Sequence, residues 1–79
     1  MLLKQRRGTF SITREMIEDS EEDVMKLMGQ CIVVDVKCSC FENKIQYWAL
    51  SPKFYVCTPK DPWFPYIVER VDGEYKWIR

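Results

Sequence analysis

The dipeptide Asp72-Gly73, set between two alternating runs in "YIVERVDGEYKWIR", constrains this chain more tightly than any other feature. Asp and Gly both accept the positive φ angles of a two-residue type I′ turn, and that turn matches the natural twist of paired strands. A register follows: Glu69 opposite Lys76, Arg70 opposite Tyr75, Val68 opposite Trp77 and Ile67 opposite Ile78. One face of the hairpin then carries Tyr66, Val68, Arg70, Tyr75, Trp77 and Arg79. The other carries Ile67, Glu69, Val71, Glu74, Lys76 and Ile78. The first is the expected core face, because a chain of 79 residues cannot leave many large rings in water.

A second hairpin is expected upstream. "CIVVDVKCSCF" is the strongest strand, and Ile32, Val34, Val36, Cys38 and Cys40 share the parity expected to face the core. "ENK" reads as a short turn and "IQYWALS" as the returning strand, which places Phe41 opposite Ile45, Cys38 across from Trp48 and Val36 across from Leu50. "GTFSIT" alternates Phe10 and Ile12 with polar neighbours and reads as a short first strand.

Between them, "TREMIEDSEEDVMKLMGQ" has helical spacing, with Val24, Leu27 and Met28 as the buried stripe and Met16 and Ile17 extending it backwards. Thr13 or Ser20 can cap its start, and Gly29 is the expected stop. One bent helix and two short ones both fit. The expected architecture is a two-layer α+β domain. One helical segment, about residues 14–28, packs on a mainly antiparallel sheet of about four or five strands. Residues 1–79 form a single domain, with a basic N-terminal arm (1–8) free to flex.

The chain has no histidine, which removes the usual general base, the commonest zinc nitrogen ligand and the main switch near neutral pH. Gly8, Gly29 and Gly73 are too scattered for a phosphate-binding loop. No catalytic residue, cofactor or metal is therefore expected. Cys31, Cys38, Cys40 and Cys57 lack the paired spacing and knuckle turns of structural zinc sites, and "CSC" on a strand puts two sulfurs on one face about 7 Å apart. They read as buried small apolar thiols. No run reaches the roughly 18–20 apolar residues of a membrane span, and "MLLKQRRG" lacks a signal-peptide core, so the expected address is the cytoplasm.

Three surfaces stand out for binding. In "CTPKDPWFPY" Pro59, Pro62 and Pro65 stiffen the backbone, and Trp63 and Phe64 are adjacent rings that point in opposite directions in an extended segment. They are the candidate apolar anchors for a protein partner, with Lys60 and Asp61 as polar surroundings. The acidic block at 15–23 reads as a solvated helix face or as a dock for a basic surface. The final strand is expected to leave an edge open to a second copy, which would make a homodimer.

The function expected is a small non-enzymatic protein-binding accessory, adaptor or inhibitor, of the general type that bacteria and phages encode. The alternative is a nucleic-acid binder using Lys4, Arg6 and Arg7 with Arg70, Tyr75 and Trp77 as a stacking platform. With 12 Lys+Arg against 12 Asp+Glu, it lacks the net basic charge that usually drives such binding.

Overall fold

A computed structural model describes residues 5–58 and 60–79. Along them run β1 (Gln5–Thr13), α1 (Arg14–Asp19), α2 (Glu21–Met28), β2 (Ile32–Ser39), β3 (Lys44–Leu50), β4 (Val56–Cys57), β5 (Phe64–Pro65), β6 (Ile67–Val71) and β7 (Glu74–Ile78). The class is α+β, with a small and mainly antiparallel five-stranded sheet beside a separate two-stranded one. Of the two arrangements open to the helical segment, the chain takes two short helices, because Ser20 leaves the helical conformation at φ −160° and ψ 93°. Its hydroxyl accepts from the Asp23 N–H and starts α2, while Thr13 caps α1 in the same way from the Met16 N–H.

β1 is the organising strand. It pairs antiparallel with β3 over Arg7 to Thr13, and its other edge takes β4 at Gln5 and Arg6 and β5, in parallel, at Gly8 and Thr9. Gln5 to Gly8, assigned from sequence to a free basic arm, are thus the first half of a central strand. Met1 to Lys4 lie outside the described residues. β2 flanks β3 on the far side and forms one edge of the sheet.

The two hairpins compare differently with expectation. β6 and β7 pair as Ile67↔Ile78, Val68↔Trp77, Glu69↔Lys76 and Arg70↔Tyr75, the register that Asp-Gly dictates. Asp72 and Gly73 take φ of 52° and 82°. In the other hairpin Cys38 faces Ile45 and Val36 faces Tyr47, not Trp48 and Leu50. The turn occupies residues 40–43, with Asn43 at φ 51°, so Phe41 stands at the turn and not in the ladder. A bulge at Val34 then shifts the remaining register, leaving Val33 opposite Ala49 and Ile32 opposite Leu50.

Phe10 and Ile12 of β1, Ala49 of β3, Val24 and Leu27 of α2, Phe54, and Tyr66, Val68 and Tyr75 of the second hairpin make the core. Trp77 packs against it, 5.4 Å from the Phe10 ring and 4.8 Å from that of Phe54. The face of the second hairpin that carries these rings is the inward one. β2 contributes nothing fully buried.

Candidate docking surface

The bulge and the edge position of β2 together overturn its expected role. Ile32, Val34 and Val36 are 69%, 51% and 47% exposed, and Cys38 and Cys40 also face solvent. These side chains were expected in the core. They are not, because the buried residues of α2 and the second hairpin gather with Phe10, Ile12 and Ala49 of β1 and β3, and β2 contributes no buried side chain to that cluster. Phe41 at the adjoining turn is fully exposed, and Val33 is also open to water. Ile17 of α1, itself exposed, borders the far end of this strip, where a groove of about 350 Å³ is lined by Ile12, Ile17, Cys38, Cys40 and Ile45.

Along the open edge the Val36 N–H donates to its neighbour's Asp35 carboxylate at 2.8 Å, a local substitute for a ladder partner. Asp35 and Lys37 flank Val36, and neither makes an ion pair among the described residues. An apolar strand of this length, open on its edge, is the kind of surface that protein partners cover.

The proline loop is held differently. Arg7, on β1, is buried, and its Nη2 donates to the carbonyls of Thr58 (2.7 Å) and Asp61. The same guanidinium lies 5.1 Å from the centroid of the Trp63 ring. The Asp61 carboxylate accepts from the Thr58 N–H at 2.7 Å and from its hydroxyl at 3.1 Å. Those bonds, with Arg7 nearby, hold the Asp61 carboxyl below its ordinary pKa. Phe64 pairs opposite Gly8 in the sheet, with its ring 5.7 Å from Tyr55 and 5.3 Å from Tyr66. Arg79 stacks on Tyr55 and Phe64 at 4.5 and 4.6 Å. Trp63 and Phe64 are both half-buried, so neither is the fully outward ring; Lys60 is exposed, and Pro59 lies outside the described residues.

The residues of the nucleic-acid alternative do not form one platform. Arg6 donates to the Phe54 carbonyl at 3.0 Å and Arg7 is taken up by the loop. Arg70 bridges Asp19 at 2.7 Å and Asp23 at 3.1 Å while stacking on Tyr75 at 4.4 Å, and Tyr75 is buried. Trp77 faces the core, and Lys4 lies outside the described residues. The Arg70 bonds lower the Asp23 pKa and raise that of Arg70. Part of the acidic block is therefore internal mortar between helices and hairpin. Of its other members, Glu18 pairs with Arg14 and Glu22 with Lys26.

Among the described residues no group of three or more Cys, Asp or Glu is placed to hold a metal ion, and no helix is long and apolar enough to cross a membrane. Comparison with protein-family models, with curated proteins and with solved structures finds no match to this chain. Sequence reasoning missed β2 as a surface because alternation reports a preference for burial, not the presence of a cover. The usable signal was the pair Asp35 and Lys37, charges inside an apolar run, which often mark an edge strand.

Proposed function

We propose that this chain is a non-enzymatic protein-binding accessory, adaptor or inhibitor protein that docks through its β2 edge. One observation carries the reading: an eight-residue edge strand with five apolar residues leaves four aliphatic side chains, Ile32, Val33, Val34 and Val36, open to water. Single exposed aliphatic residues are ordinary on protein surfaces, whereas a contiguous apolar strip marks an interaction site. The strip also offers unpaired backbone groups, so a partner strand gains ladder hydrogen bonds as well as apolar contact. Trp63 and Phe64 form a second, weaker candidate, because both rings already have intramolecular partners.

The test is site-specific photo-crosslinking in the native cell, with the probe at Val36, at Trp63 and at the exposed control Lys76. A covalent protein adduct formed from position 36 and absent from position 76 is the expected result. An adduct from position 63 alone would move the docking face to the loop. No adduct from either position, above the control, would sink the reading.

A further inference from the structure

The proposed docking edge names its own occupant when its sequence is laid against itself. We propose that β2 pairs antiparallel with β2 of a second copy of this chain, about a two-fold axis at Val36, so that each Asp35 faces the partner's Lys37. The inference rests on the reading of β2 as a docking edge.

Continuing the sheet across a two-fold axis requires that directly opposed residues share a face, which places the axis on a residue and not between two. Few positions are then open near the centre of the strand. An axis on Asp35 would set two carboxylates opposite each other, and one on Lys37 would do the same with two ammonium groups. Like charges directly opposite destabilise a strand pair. With the axis on Val36, Asp35 meets Lys37 twice and Val36 meets its own copy, and the bulge at Val34 ends the regular pairing there. Every central pair is then either apolar on apolar or opposite in charge. Asp35 and Lys37 lie on the face opposite Val36 and Cys38, as their partners on β3 show: Trp48 and Gln46 for the first two, Tyr47 and Ile45 for the second.

The backbone agrees with this axis. The Val36 N–H is held by the Asp35 carboxylate at 2.8 Å. On pairing it takes the carbonyl of the partner's Val36, and the released carboxylate becomes available to the partner's Lys37. Neither Asp35 nor Lys37 has a competing ion pair among the described residues. The groove under Ile17 lies at the Cys38 end of β2, beside the pairing edge. An eight-residue strand pair buries less than the roughly 1,600 Å² of a standard interface. Pairings of that size belong to the weak, transient class of interface, so a readily reversible dimer is expected.

Sedimentation equilibrium on the purified, reduced chain reads the proposal directly. The wild type is expected to show a monomer–dimer equilibrium. Asp35→Lys, which turns both symmetric pairs into repulsions, should weaken it by about tenfold or more. The double exchange Asp35→Lys with Lys37→Asp should restore affinity to within about threefold, because the opposed charges are again complementary. Both positions are exposed, and circular dichroism verifies that each variant remains folded. A wild type that stays monomeric, a dimer indifferent to Asp35→Lys, or weakening without rescue by the double exchange would each overturn the self-pairing. If the wild type is monomeric yet position 36 still captures a different protein in the cell, only this inference fails and the docking reading stands. Absence of any adduct removes both.

Discussion

Gly8 marks where β1 passes beneath the ring of Tyr66. A Cβ at that position would lie 2.5 Å from Cε2 and 2.7 Å from Cδ2 of Tyr66, and 3.1 Å from the Phe64 carbonyl oxygen. The ring cannot simply retreat, since it stacks on Phe54 at 4.6 Å and its hydroxyl accepts from the Tyr55 N–H at 2.8 Å. Gly8→Ala is therefore expected to destabilise the fold by about 1–3 kcal/mol, the usual cost of overpacking. A lower urea midpoint with an unchanged slope would register it, and an unchanged midpoint would show that the ring yields freely. Nothing local in "RRGTF" announces this constraint, because Tyr66 is far away in sequence. Arg7 was similarly opaque: it reads as part of a basic arm and serves as the clasp of a loop more than fifty residues on. The thiols divide in the same residue-specific way. Cys38 and Cys40 are exposed, Cys57 is buried, and burial pushes the pKa of half-buried Cys31 up. Titration with a disulfide reagent at neutral pH should show Cys38 and Cys40 reacting first, with Cys31 and Cys57 lagging. A uniform rate for all four would contradict the placement of β2 on the outside.

At the scale of elements, the turns decided what sequence could and could not establish. The β6–β7 register was legible because a two-residue Asp-Gly turn leaves no freedom in the pairing. The β2–β3 register was not, because "CFEN" is a longer connection and Phe41 looks like a strand residue. Its full exposure at the turn follows from Asn43, whose left-handed conformation lets the chain reverse just before Lys44. The helical region was ambiguous for a related reason, since Ser20 can sit inside a helix or cap the next one. Here it does the second, and the Ser20 N–H closes α1 on the Met16 carbonyl while its hydroxyl opens α2. Ser20→Ala removes the acceptor for the Asp23 N–H and is expected to cost about 1 kcal/mol. Ser20→Asp, which keeps an acceptor there, should cost less than half as much. Chemical denaturation of both variants distinguishes a capping role from a merely exposed serine, for which the two changes would be equally mild.

For the molecule as a whole, α2 and the second hairpin place Val24, Leu27, Tyr66, Val68 and Tyr75 in one cluster with Phe10, Ile12 and Ala49, and β2 stays outside it. Composition could not show this, because counting apolar residues does not say how many another element can reach. What ties the helices and the second hairpin to one another is Arg70, which reaches from β6 to Asp19 at the end of α1 and Asp23 in the first turn of α2. The bond from Arg70, reinforced by Ser20, lowers the Asp23 pKa in the folded chain. A carboxyl with a depressed folded pKa binds protons more readily when unfolded, so its contribution is present above the unfolded value near 3.9 and is lost as pH falls through the folded one. Asp61 and Glu42 are depressed too, by Thr58 and by Lys44 respectively, so the wild type alone cannot isolate the Asp23 part of an acid transition. Asp23→Asn can. At neutral pH the variant should unfold at lower urea than the wild type, because Arg70 loses a charged partner. From about pH 5 towards about pH 2 the wild-type advantage should shrink, as protonation of Asp23 makes the two side chains alike in charge. An advantage that stays constant over that range would mean that the Arg70–Asp23 pair does not hold hairpin to helix, and that packing of Tyr75 and Trp77 alone does so.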